Sequence, residues 1–205
     1  EVKHYKADIC VYGGTASGVM AALAAHQEGS KVILVEPTRW LGGMTGGGIN
    51  HLDWGKGETV GGSTYKILMD GLKDQKRAHG GHAKHGIGNK QYRERFKKLV
   101  KDRGITVIYD HRVGKVQVGD EIINKPTREQ PIALGEKIVS KNKNNSIRSI
   151  ILDYAPVDET GCPIPEPKKR NVITVSAKVF IDCSYEGDVL GMSGVRYTWG
   201  RESRE

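Results

Sequence analysis

Apolar positions are unevenly spaced along the chain, and their spacing predicts its elements. The run Ala7-Asp8-Ile9-Cys10-Val11-Tyr12 is compact and stops at Gly13-Gly14, as a strand buried on both faces of a parallel sheet does. From Ser17 the pattern turns Ala-rich, predicting a helix pressed closely on a sheet and ended by Gly29-Ser30. Residues 31–36, KVILVE, read as a second buried strand closing on an acid. Strand, glycine turn, helix and strand within about 30 residues form a βαβ unit. Residues 37–62 are irregular and too long for a mere connection, which predicts a loop covering a ligand. Helical patterns resume over residues 63–79 and 90–103, and Ile105 to Tyr109 reads as a third parallel strand. Residues 113–118, 136–141, 147–154 and 171–176 are alternating or β-branched and separated by Asn/Lys/Pro turns, predicting an antiparallel meander. Lys178 to Cys183 returns to the buried-strand pattern and ends in the polar cluster Ser184-Tyr185-Glu186-Gly187-Asp188.

The expected class is therefore α/β, a Rossmann-like parallel sheet with an antiparallel β-meander as crossover. The core spans about residues 1–112 and 177–205 and the meander about 113–176. Composition adds one strong feature: 13 of the 27 glycines lie between Gly13 and Gly62, concentrating backbone freedom where a site is expected. Charge subtracts one. Twelve Lys/Arg against four acids between Lys66 and Arg103 equal the whole net charge of +8, so the basic character belongs to one segment that reads as a solvated helix face. No aromatic interleaving supports a nucleic-acid platform. No stretch approaches the roughly 20 apolar residues of a membrane span. Three cysteines without a CxxC pair suggest free thiols rather than a disulfide framework or zinc site. The chain opens on Glu1 without an initiator Met, as a processed precursor or excised segment does, so the compartment stays open, export from a bacterium included.

The chemistry lies in the first βαβ unit. Gly13-Gly14-Thr15-Ala16-Ser17-Gly18 follows a strand and opens a helix, and Glu36 ends the next strand 23 positions after Gly13. Those are the confirming conditions of a dinucleotide fingerprint. The helix start offers N–H groups and a positive dipole end to a pyrophosphate, and Glu36 can accept from both ribose hydroxyls. A carboxylate there repels a 2′-phosphate, which makes NADP the least suitable ligand. Thr15 stands where the pattern has its second Gly; its side chain crowds the approach to the phosphates, or its hydroxyl donates to one. The glycine loop begins at Arg39, where a nicotinamide domain enters its next helix. It suits backbone packed on an extended FAD, with Arg39 reaching phosphate or adenine.

The runs VYGGTASG, VEPTRWLGGMTGGG, IDCSYEGDVLGMSGV and TWGRES resemble the FAD-dependent oxidoreductase family of bacterial glycine-rich flavoproteins, and more distantly the fumarate reductase and succinate dehydrogenase flavoproteins. The resemblance implies a two-dinucleotide-binding-domain fold and FAD bound non-covalently. It implies pyrophosphate contact at Gly13 to Gly18, ribose at Glu36, neighbouring contacts at Pro37, Arg39, Gly43, Met44 and Thr45, and adenine against the backbone near Val113. It further implies a second flavin fingerprint at Asp182 to Asp188, bringing Cys183, Ser184, Gly187 and Asp188 to the cofactor. In the relatives that attach FAD covalently a His precedes a run ending in Gly-Gly-Ile-Asn; alignment on Gly47-Gly48-Ile49-Asn50 puts Leu41 at that place. Members of the family are much longer, so 205 residues correspond to an N-terminal portion. The expected function is FAD-dependent oxidoreduction of an unidentified organic substrate. The alternatives are a dinucleotide-binding module completed by a partner chain or by the C-terminal half, and an NAD-dependent dehydrogenase.

Other candidates are weaker. His79, His82 and His85 are spaced by three, but the surrounding glycines favour a basic loop over a helical metal site. His51 and Asp53 form an imaginable acid/base pair or a hydrogen-bonded corner. Tyr185 and Glu186 either enter the chemistry or cap the following helix. Cys10 and Cys183 read as buried apolar filler. No catalytic residue and no metal ligand is assigned.

Overall fold

The computed structural model describes residues 1–47, 62, 89–125 and 146–195. The expected strand at residues 136–141, the helix at 63–79 and the candidates His51, Asp53, His79, His82 and His85 lie outside the described residues.

Four strands form a parallel sheet: β2 (Ile9–Tyr12), β3 (Val32–Glu36), β4 (Thr106–Tyr109) and β9 (Val179–Asp182), in the order β4-β3-β2-β9. Its two faces follow from side-chain alternation along each strand. Val11 pairs in register with Leu34 and Ile181, and this row packs on α1 (Ala16–Gln27) and the later helix α3 (Asn89–Asp102). On α3 the buried residues Tyr92, Phe96 and Val100 recur every fourth position, giving one apolar stripe beneath a charged outer face. The glycine loop is not wholly irregular: Gly43–Gly47 forms a short helix, α2, beneath α3. Gly42 ahead of it has φ +101°, and a Cβ there would press on the Phe96 ring, so this turn and α3 fit together only through glycine.

The opposite face, carrying Cys10, Tyr12, Ile33, Val35 and Ile108, packs on a second sheet. That sheet holds β5 (His111–Val118), β6 (Glu121–Asn124), β7 (Ile147–Tyr154) and β8 (Lys169–Ser176), joined antiparallel. Val113, Val116, Ile150, Leu152 and Val175 supply its inward side. Two findings go beyond the sequence pattern. The short strand β6 joins the meander edge, and β1 (Lys3–Lys6) pairs parallel with β8, so the chain starts in the meander sheet rather than the parallel one. The last described helix, α4 (Asp188–Met192), follows β9 and buries Val189 and Met192 on the meander side of the parallel sheet. Among the described residues no helix is long and apolar enough to cross a membrane.

Candidate functional site

A cavity of about 500 Å³ crosses the C-terminal ends of β3, β2 and β9, the position at which open α/β sheets bind ligands. At the β3 end it is lined by Glu36, Pro37, Thr38 and Trp40, with Arg112 at the start of β5 and Pro163 from the β7–β8 connection. Tyr12, Gly13 and Thr15 line its middle, and Ser184, Tyr185, Glu186 and Asp188 its β9 end, facing Gly43, Met44 and Gly47 of α2.

The turn after β2 brings the two sequence fingerprints into contact. Gly13 has φ +93°, and a Cβ on it would lie 2.6 Å from the Ser184 nitrogen and 2.8 Å from the Cys183 carbonyl carbon. Only glycine permits both the conformation and the approach. Thr15 caps α1: its Oγ accepts from Gly18 N–H at 3.2 Å and donates to the Cys183 carbonyl at 2.8 Å. Its proton is thereby spent inside the protein, so the expected hydroxyl donation to a phosphate is replaced by a link between the two fingerprints.

Glu36 is buried at 6 % exposure. Burial pushes its carboxyl above the usual range, against three hydrogen bonds that favour the charged form. Gly14 N–H donates to Oε2 at 2.6 Å, and the Thr38 N–H and hydroxyl both donate to Oε1 at 2.6 Å. Three of a carboxylate's roughly four acceptor positions are thus filled. One acceptor position is left, on Oε2, so accepting from both ribose hydroxyls, as expected from the sequence, would require the Thr38 hydroxyl to yield.

At the far end the turn is organised by Asp182. Its Oδ1 accepts from the Ser184 N–H and hydroxyl at 3.0 and 2.7 Å, and its Oδ2 accepts from Leu190 N–H at 2.9 Å inside α4. Ser184 Oγ accepts from Gly187 N–H at 3.0 Å. Gly187 is the N-cap of α4 without a side-chain bond, so neither Tyr185 nor Glu186 caps that helix as one reading supposed. Instead the Tyr185 hydroxyl accepts from Met44 N–H at 2.8 Å, reaching from the β9 turn to α2. Asp188 pairs with the Lys125 ammonium, a cation at the end of β6 that the sequence did not single out.

The cavity therefore gathers Gly13, Thr15, Glu36, Pro37, Gly43, Met44, Ser184 and Asp188 from the expected set. Other members stand behind it or beside it. Gly14 supports Glu36, and Gly18 donates α1's cap bond to Thr15, while Ala16, Ser17 and Thr45 lie within α1 and α2 and do not line it. Arg39 is turned to Asp110, which accepts at 3.0 Å through a side chain that lies outside the lining. Val113 is fully buried and its N–H donates to the Tyr12 hydroxyl at 3.1 Å; the neighbouring Arg112 lines the cavity in its place. Cys183 spends its N–H on the Tyr12 carbonyl and its own carbonyl on Thr15, so its polar backbone faces the sheet. Leu41 is packed in the core with the helices, away from the cavity. Cys10 is buried and its thiol is pushed up to about 12 by desolvation, which makes it inert filler. Thr38, Trp40, Arg112, Pro163 and Lys125 are lining residues the sequence did not single out; Thr38 and Trp40 lie within the quoted run after Glu36, whereas Arg112, Pro163 and Lys125 belong to no motif and come from the meander sheet and its connections.

An elongated cavity across three adjacent strand ends, glycine where the two fingerprints touch, and an acid at the end of β3 fit a bound dinucleotide. The comparisons agree. The family model described as FAD dependent oxidoreductase matches residues 8–135 and 164–205. No curated protein sequence matches this chain. Among solved structures, a flavoprotein/dehydrogenase from Cytophaga hutchinsonii is 15% identical with a TM-score of 0.51, covering 95% of this chain and 44% of its own. A flavocytochrome c3 fumarate reductase is 18% identical, with a TM-score of 0.45 and coverage of 87% and 33%. An L-proline dehydrogenase from P. horikoshii is 16% identical, with a TM-score of 0.42 and coverage of 90% and 23%. This chain thus spans less than half the length of each of these structures. The match over both fingerprints and most of the sequence between and around them places the chain in the FAD dependent oxidoreductase family, whose cofactor is FAD.

Proposed function

We propose that this chain binds FAD non-covalently across the ends of β3, β2 and β9 and forms the cofactor-holding part of an oxidoreductase acting on an organic substrate. The observation that carries the reading is the meeting of Gly13 with Ser184, which puts both fingerprints on one cavity. In this reading the turn from Gly13 to Gly18 holds the pyrophosphate and Glu36 holds the ribose. Ser184 to Asp188 and the backbone of Gly43 and Met44 receive the flavin half. FAD, when bound, supplies the two-electron chemistry. The protein's own part is to orient it, to keep Glu36 turned on the ribose through Gly14 and Thr38, and to hold the β9 turn rigid through Asp182.

The test is the visible absorption of the purified chain before and after acid precipitation. A flavin spectrum that moves into the supernatant supports the reading, and Glu36→Ala should lower flavin occupancy; a chain that stays colourless after incubation with FAD overturns it. A second reading is favoured by length, since solved relatives extend well beyond the part matched here: the chain binds FAD but turns nothing over until further sequence or a partner chain covers the substrate side. Exposed Val179, Leu190 and Val195 around β9 and α4 would then lie at that junction. Reduction of bound FAD by organic donors with this chain alone would exclude the second reading.

A further inference from the structure

We infer that the indole of Trp40 is the platform on which the adenine of the cofactor stacks, an assignment that rests on reading the cavity as a FAD site. Trp40 is an exposed large apolar side chain, 37 % accessible, and it lines the cavity. It stands two residues beyond Thr38, and the two are bonded: Trp40 N–H donates to Thr38 Oγ at 3.3 Å while the same hydroxyl donates to Glu36 Oε1 at 2.6 Å. A ribose held by Glu36 therefore carries its base within reach of this ring and of no other described indole.

The ring is held in place by contacts that a bystander would not need. The Arg93 guanidinium of α3 lies over it, 4.9 Å from the centroid. A cation on an aromatic face is an attractive contact that fixes the plane of the ring. From the other sheet, Gly161 approaches so closely that a Cβ on it would lie 2.7 Å from Trp40 Cζ2, and Gly161 has φ +85°. That glycine is positioned by a turn built on Asp158, whose carboxylate accepts from the Thr160 and Cys162 N–H groups at 2.8 and 3.1 Å. An indole fixed by α3 and by the β7–β8 connection, tied to the ribose acid and open to the cavity, is a preformed stacking surface. Stacking reads only the π-face of a base, so this arrangement gives affinity for an adenine nucleotide without hydrogen bonds to the base.

The experiment titrates the full 205-residue chain with ADP, with FMN and with FAD, following indole emission and heat of binding. ADP should quench the emission of the wild type. Trp40→Ala should bind ADP about tenfold more weakly, the loss expected for one base stack, with FMN binding unchanged. Trp40→Phe should keep ADP affinity within about threefold, since a smaller ring still stacks. Gly161→Ala should weaken ADP in the same way as Trp40→Ala by displacing the ring. Wild-type affinity for ADP in Trp40→Ala, or a loss of ADP affinity in Trp40→Phe as large as in Trp40→Ala, overturns the assignment. A wild type that takes up FAD but not ADP also overturns it and leaves the proposed function standing; one that takes up neither overturns both.

Discussion

Glu36 is charged at a cost. Its carboxyl is buried, and desolvation outweighs the donors from Gly14 and Thr38, so its folded-state pKa lies above the ordinary 4.5. Between 4.5 and the raised value the folded chain holds more protons at this site than the unfolded chain. Stability therefore falls as pH rises through that window and levels off above it. Glu36→Gln does not titrate, so the melting temperature of the wild type relative to this variant should decline as pH rises above 4.5 and then level off; a flat difference would show the pKa to be unshifted. Gly13 carries a different constraint. Gly13→Ala forces a Cβ onto the Ser184 nitrogen at 2.6 Å and holds a side chain at φ +93°. The backbone conformation alone costs about 1–3 kcal/mol, and the clash separates the fingerprints. Lowered melting temperature together with lost FAD uptake is the expected outcome, whereas loss of stability with FAD uptake intact would detach the turn from the site.

At the scale of elements, what the sequence discloses is what local pattern controls. β2, α1, β3, β4, β7 and β9 lie where the apolar spacing puts them, because short apolar or β-branched runs and a small-residue helix carry their pattern locally, although the edge strands β4 and β9 are only partly buried. Legibility ends where an element owes its place to a partner distant in sequence. Lys3–Lys6 is polar and becomes β1 only because β8 offers an edge, and Glu121–Asn124 becomes β6 only against β5. The same holds within the site. Glu36 and the glycine turn were readable because fingerprint chemistry is local, but the partner of Thr15 is 168 residues away, so its hydroxyl looked free for a phosphate. That partner predicts how α1 responds to substitution. Thr15→Ala removes an N-cap and leaves the Cys183 carbonyl without its donor, each worth about 1 kcal/mol. Thr15→Ser keeps both bonds. Urea midpoints should therefore fall for Ala and stay near wild type for Ser; equal midpoints for Ala and wild type would mean the cap contributes nothing to α1.

On the scale of the molecule, two sheets meet behind the cavity, and polar groups join them there as well as apolar packing. Tyr12 ends β2 in the middle of the site, is 2 % exposed, and sends its hydroxyl across the interface to accept the Val113 N–H of β5. Burial raises the phenol pKa far above neutrality, so the bond is uncharged and does not vary with pH in the ordinary range. Val113 is itself fully buried, so no water can replace the acceptor. Tyr12→Phe preserves the ring, its packing against the meander and its contribution to the core, and deletes only this acceptor. A buried N–H left without a partner costs about 1–3 kcal/mol. For a chain of this size that is a drop of several degrees, at roughly 2–4 °C per kcal/mol. The bond lies where the parallel sheet, the meander and the cavity converge, so its loss should also loosen the site. In Tyr12→Phe, hydrogen exchange should rise at Val113 and at Gly13 to Thr15, while β7 and β8 keep their wild-type protection. Unchanged exchange at both places, together with an unchanged melting temperature, would mean that apolar contacts alone set the angle at which the two sheets present the cavity.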